Sequence, residues 1–298
     1  MDEAIIAKGL YKRYKRVQAL RGVTFKVPRG RVFGLLGPNG AGKSTTIKIL
    51  VGLIKPDKGE ALIFGKRAGS TGAKSLLGYA PERFSIGNNW RLIDFLVYVG
   101  RLHGLSERLA AERALYLLEW AGLSGYEEEK FGNLSAGMKK RFGLVQALIS
   151  DPEILILDEP TEHLDAIGRL EVLNRIRELA SRGKTILLST HVLAEADYVV
   201  DSFAIMNRGR IIYHGSRLDV QGVVRIVVDK PAEFEKALHR AGLEYSISGN
   251  EFIVETSGVE DEKLVLRICL DNNIRVIRYD TSSSISDIFM RIVGAEKR

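Results

Sequence analysis

The 298-residue chain has one cysteine, Cys269, so no intrachain disulfide can form and a core must hold the fold. A single thiol fits a reducing compartment. No apolar run approaches the roughly 18 residues that cross a bilayer as a helix. Runs such as Ile154–Leu157 and Ile186–Leu188 have the length of buried strands. Met1-Asp2-Glu3 is not a basic segment followed by an apolar one, so no signal peptide is expected. There is no low-complexity tract and no domain-sized repeat. Nor is there a large surplus of one charge: 44 basic and 37 acidic residues leave +7. The basic residues are spread out, with tight groups only at Lys12–Arg16 and Lys139–Arg141. That pattern suits a highly charged surface better than a nucleic-acid or lipid-binding face. What is present is ordinary for a folded protein, 45% hydrophobic and 27% charged. The length suggests two domains and allows a sizeable core.

Strand-like and helix-like segments alternate in the first part. Val32–Leu36, Ala61–Phe64, Ile154–Leu157 and Thr185–Ser189 read as strands. Lys43–Leu53, Arg91–His103, Glu107–Ala121, Met138–Ser150 and Gly168–Arg182 read as helices, with apolar residues at three- and four-residue spacing where the pattern is clearest. This alternation predicts an α/β fold with a largely parallel sheet. The character changes near residue 216. Strands at Val223–Val228, Leu243–Ile247, Phe252–Glu255 and Ile274–Tyr279 enclose helices at Ala232–Arg240 and Val259–Leu270. The order β-α-β-β-α-β suits a small C-terminal α+β domain of ferredoxin-like topology. Ser284 with Asp287 is expected to cap a last helix that carries Ile285, Ile288, Phe289 and Ile292 on one face. The expected domains are 1–217 and 218–298.

Gly37-Pro38-Asn39-Gly40-Ala41-Gly42-Lys43-Ser44-Thr45 fits the phosphate loop G-x-x-x-x-G-K-[ST] in full, after an apolar strand and before a helix. Small residues let successive backbone N–H groups curl around phosphate oxygens. The helix N-terminus adds its dipole. Lys43 is expected to reach the β- and γ-phosphates of a nucleoside triphosphate, and Ser44 to ligate Mg²⁺.

Ile154–Leu157 ends in Asp158-Glu159. The strand is expected beside the phosphate-loop strand, with Asp158 on the metal side and Glu159 orienting or deprotonating the attacking water. Solvated carboxylates at a strand end are the plain alternative. His191 follows another strand and would sit at the same sheet edge, within reach of the γ-phosphate. Ser135 and Gly137 precede a helix and make a second anion site. One chain needs no second site for one triphosphate. A head-to-tail dimer, in which this turn caps the other subunit's nucleotide, resolves that; an unliganded helix cap is the alternative.

Together these features resemble the nucleotide-binding subunits of ABC transporters over about residues 4–216. They are the phosphate loop (37–45), a turn similar to LSGGQ (134–138), Asp158-Glu159, the following Leu164-Asp165 and a switch histidine, His191. The resemblance implies a P-loop NTPase of ABC type with a helical subdomain at about 83–150. It implies an ATPase that binds ATP and Mg²⁺, with Glu159 as base, His191 and Lys43 at the γ-phosphate, and Ser135 and Gly137 acting in trans. Tyr14 occupies the position of an aromatic that stacks on adenine; a packed edge-strand aromatic is the other reading.

The chain departs from the family pattern in three motifs. Glu82 stands where a metal-contacting Gln is usual, Ala136 and Met138 replace Gly and Gln, and Thr161-Glu162-His163 replaces a small polar pair. Glu82, Met138 and the closing Ser286-Asp287-Ile288-Phe289 are similar to the exporter branch. The implied partners are a second copy, or a related ATPase, and a separate transmembrane permease. The chain is then expected on the cytoplasmic face of the membrane, held there by the permease. The alternative is a soluble ABC-type ATPase that acts on nucleic acid or the ribosome; that partner is not expected.

Overall fold

The computed structural model describes residues 3–217, 222–256 and 259–281, and positions 285, 286, 288, 289 and 292. Two compact units make up the chain, 1–214 and 215–298. The first opens on β1 (Glu3–Tyr14) and β2 (Val17–Pro28), an antiparallel pair that buries Ile5, Ala7, Leu10, Val23, Phe25 and Val27. β3 (Val32–Leu36) is buried along its whole length and leads through the phosphate loop into α1 (Lys43–Leu50). β4 (Lys58–Ile63) and β5 (Lys66–Arg67) return to the first pair. After α2 (Thr71–Lys74) and β6 (Leu77–Ala80) come three helices, α3 (Leu92–Leu102), α4 (Glu107–Trp120) and α5 (Ala136–Leu148). β7 (Ile154–Asp158), α6 (Ala166–Ser181), β8 (Thr185–Thr190), α7 (Leu193–Val199), β9 (Ser202–Asn207) and β10 (Arg210–Ser216) complete the run.

Two expectations change. The first unit holds two sheets, not one. A six-stranded sheet has the order β10-β9-β3-β8-β7-β6, and a separate four-stranded sheet the order β2-β1-β4-β5. Residues 61–63 belong to the second, where β4 pairs antiparallel with β1, and Phe64 turns out of the strand at φ 44°. Nor does β7 lie beside the phosphate-loop strand. β8 stands between them, parallel to both. Continuous apolar runs mark β3, β7 and β8 as buried parallel strands but say nothing of their order.

That order aligns the carboxyl ends where the site forms. Leu36 pairs with Thr190 and Asp158 with Ser189. The segment between β6 and β7 builds an aromatic core of its own. Phe84, Phe95, Phe131 and Phe142 contact one another at centroid separations of 5.8–6.1 Å, which ties α3 and α5 to the chain on either side.

The second unit comprises β11 (Gly222–Val228), α8 (Pro231–Ala241), β12 (Tyr245–Ser248), β13 (Glu251–Thr256), α9 (Val259–Asp271) and β14 (Val276–Thr281). Its sheet runs β12-β13-β11-β14, with every neighbour antiparallel. Pro231 opens α8 and Gly242, at φ 70°, closes it, the usual placement for each residue. Phe234 meets Phe252 edge-on at 5.1 Å in a core that includes Ile226, Val254 and Cys269. Of the expected last helix, positions 285, 286, 288, 289 and 292 are helical, and Ile285 and Ile288 are buried. Ser284 and Asp287, the expected cap, lie outside the described residues. Among the described residues no helix is long and apolar enough to cross a membrane.

Candidate active site

The loop between β3 and α1 depends on glycine. Gly37 has φ 146°, and a Cβ there would lie 2.2 Å from the Met206 carbonyl oxygen. Gly42, at φ 108°, is the residue before α1. No side chain but hydrogen satisfies both positions. Lys43 is 5% exposed although charged. Its Nζ donates to the Gly37 carbonyl at 2.7 Å and lies 3.2 Å from Glu159 Oε1. Burial of that ammonium is tolerable because carbonyl and carboxylate oxygens surround it.

β7 ends at Asp158 and Glu159 follows it, both buried. The Ser44 hydroxyl donates to Asp158 Oδ1 at 3.3 Å, which joins the loop to the strand end. Burial pushes the Asp158 carboxyl above the usual range; hydrogen bonds from Ser189 and Ser44 oppose that, Glu159 adds to it and Lys43 opposes it. Burial, with the charges of Asp158 and Glu82, also pushes the Tyr79 phenol up to about 12. Glu159 sits at φ 47°, a left-handed conformation that costs a non-glycine residue about 1 kcal/mol and recurs at functional sites. Its Oε2 is 3.0 Å from His191 Nδ1. One carboxylate therefore holds Lys43 on one oxygen and His191 on the other.

Two supporting residues were not legible in advance. The Ser189 hydroxyl donates to Asp158 Oδ1 at 2.6 Å and accepts the Glu159 N–H at 3.0 Å. Glu195, 8% exposed, accepts from the hydroxyls of Thr161 and Thr190, two residues after Glu159 and one before His191. A carboxylate four residues after a histidine looks like helix surface; its burial depends on hydroxyls elsewhere in the chain.

A cavity of about 540 Å³ opens over the loop. Asn39, Gly40, Ala41, Gly42, Lys43, Ser44, Thr45, Glu82 and Glu159 line it, joined by Gln18, Arg21, Glu162 and Arg208, which sequence reading had not placed there. Gly37, Pro38, Asp158 and His191 stand behind that lining and touch it through Lys43, Ser44 and Glu159. Tyr14, Ser135 and Gly137 are not part of the lining. Tyr14 ends β1, 43% exposed, with Lys12 Nζ 5.8 Å from its ring centre. Ser135 caps α5, accepting the Met138 N–H at 3.2 Å.

Among the described residues no group of three or more acids, histidines or cysteines is arranged to hold a metal unaided. Ser44 and Asp158 do present two oxygens 3.3 Å apart at the loop. That fits an ion such as Mg²⁺, which completes its shell with phosphate oxygens and water.

The family profile described as ABC transporter matches residues 20–162, from β2 to just past Glu159. Nod factor export ATP-binding protein I of Rhizobium sp. (strain N33) is 33% identical over 302 residues, covering 98% of this chain and 98% of that protein. This chain belongs to the ABC transporter ATP-binding proteins. It is an ATP-binding subunit of an ABC transporter, and its enzymatic activity is the hydrolysis of ATP to drive transport. The solved structure of an ATP-binding subunit of an ABC transporter is 29% identical, with a TM-score of 0.67 over 89% of this chain and 99% of that one. The cassette MJ0796, solved as a dimer in a post-hydrolysis state with ADP and Pi, shares the fold at 24% identity and a TM-score of 0.67, covering 71% of this ABC subunit and 98% of that chain.

Proposed function

We propose that this ATPase works as a head-to-tail dimer, with itself or a related subunit, and powers export through a separate transmembrane permease. The observation that carries the catalytic part is the shared Glu159 carboxylate, 3.2 Å from Lys43 and 3.0 Å from His191. ATP phosphates in the loop compete for Lys43, which frees Glu159 to take a proton from water while His191 orients it and the γ-phosphate. Mg²⁺, when bound, would supply positive charge at the phosphate oxygens, and Ser44, Asp158 and the cavity-lining Glu82 are the residues that would hold it. Tyr14 stacks on adenine, since its exposed ring stands three residues from Val17 at the cavity.

Ser135 and Gly137 act on the partner's nucleotide. They lie outside the lining of their own cavity, yet they form a helix N-terminus suited to an anion. The cassette MJ0796, solved as a dimer, has the same fold. The direction of transport follows the Nod factor export subunit, similar along nearly the whole chain. The helical segment 83–150 docks on the permease, which holds the subunit on the cytoplasmic face of the membrane. We read 1–217 as the ATPase domain and 218–298 as an accessory ferredoxin-like domain. The strand order β12-β13-β11-β14, with two helices between the strands, supports that topology.

Glu159→Gln tests the reading. The variant should bind ATP within about twofold of wild type, form an ATP-dependent dimer and lose hydrolysis by at least about 100-fold. Near-normal hydrolysis would remove Glu159 from the base role.

A further inference from the structure

Three carboxylates, Glu82, Glu159 and Glu162, line the nucleotide cavity, with Asp158 behind them on the Ser44 hydroxyl. Glu159 has Lys43 at 3.2 Å. Glu82 has Arg83 at 3.7 Å, a side chain that is 87% exposed and so weakly paired. One oxygen of Glu162 is 3.8 Å from His163; the other is buried and accepts no hydrogen bond. A second cation, Lys140, stands beside this wall. It is half-buried, and the carboxylates of Glu162, Glu82, Asp158 and Glu159 all act on it. Its Nζ donates to the Glu82 backbone carbonyl at 2.8 Å.

Lys140 belongs to α5, three residues after Gly137 and hence on the same helix face. The turn is seated on the same region: a Cβ on Gly137 would lie 3.4 Å from Leu164 Cδ2, two residues beyond Glu162. One lysine therefore bonds the loop after β6 to the first turns of α5, and it feels the charge of Glu162 in the loop after β7. A half-buried ammonium near weakly paired carboxylates feels any change of charge at the wall.

We propose that Lys140 is a positioning residue that ties the acidic wall of a protomer's own cavity to the turn it presents to its partner's nucleotide. This rests on the dimer reading above. Nucleotide arriving beside Glu82 and Glu162 alters the field at Lys140, and α5 answers at Ser135 and Gly137. The two sites of a dimer are then coupled through one helix turn.

The test is a double-mutant cycle in the full chain: Lys140→Met, Glu162→Gln, both together, and Lys140→Arg. Two quantities are measured, the affinity of a fluorescent ATP analogue and ATP-driven dimerisation in the Glu159→Gln background. Lys140→Met should leave nucleotide affinity within about twofold and weaken dimerisation about tenfold. Lys140→Arg should keep most of the dimerisation, and the double variant should regain at least half of the loss on a logarithmic scale. Should Lys140→Met fail to fold, Lys140→Gln takes its place in the cycle. Additive effects, an Arg variant as weak as Met, or equal losses of affinity and dimerisation would overturn the proposal. If the chain with Glu159→Gln alone does not dimerise, the homodimer reading falls and takes this one with it. If it dimerises and the cycle is additive, only the role of Lys140 falls.

Discussion

The Ser189 hydroxyl donates to Asp158 Oδ1 at 2.6 Å, across the boundary between β7 and β8. The Ser189 hydroxyl oxygen also accepts the Glu159 N–H, so one serine orients two successive acids with different tasks. Removing it strands the buried Glu159 N–H and leaves Asp158 Oδ1 with only the longer bond from Ser44. Ser189→Ala should cost about 1–3 kcal/mol of stability. It should lower kcat by at least about tenfold, with the KM for ATP little changed, because the loss falls on orientation and not on phosphate binding. Thermal unfolding and steady-state hydrolysis check both parts.

Glu195 offers a second handle on the same loops. Glu195→Ala leaves the hydroxyls of Thr161 and Thr190 without their buried acceptor. Stability should fall by about 2 kcal/mol, and kcat should fall as the Glu159 and His191 segments lose their common anchor. Glu195→Gln retains an acceptor oxygen and should recover most of the activity. Equal losses in the two variants, measured by the same assays, would show that the charge matters and not the anchor.

The phosphate loop was legible because its glycines answer to sterics that no other residue meets, as Gly37 against Met206 shows. Asp158 and Glu159 were legible because an apolar strand ends abruptly in two acids. Ser189 was not, since a serine closing a strand has no distinguishing pattern until the strand order puts it opposite Asp158. The β1–β2 pair was missed for a local reason. Its register shifts between Ala7 and Leu10 and again between Lys12 and Arg13, which breaks the two-residue period along β1. Arg21 and Arg208 reach the cavity from β2 and the β9–β10 turn, and only the tertiary fold brings them together.

Cys269 is 2% exposed, and burial pushes its thiol up to about 11. Folded protein then keeps the proton where an unfolded thiol, with its pKa near 8.5, has lost it. The stability tied to this group is complete below about pH 8.5 and drains away as pH rises towards 11. At pH 8 a maleimide should react only as fast as the C-terminal unit opens, and mild denaturant should speed the reaction. Prompt labelling of native protein at the rate of a free thiol would contradict the burial.

Complementation between two inactive chains asks most directly whether each nucleotide is held by two protomers. Lys43→Ala disables the loop, and Gly137→Asp disables the turn. Mixed in equal amounts, they form dimers that join an intact loop to an intact turn once per pair. The mixture should regain hydrolysis, about a quarter of wild type if the chains associate at random and each intact site works alone, although either variant by itself is inactive. A mixture as inactive as its components, with mixed dimers shown to be present, would mean that loop and turn serve the same protomer, and the shared site would be wrong.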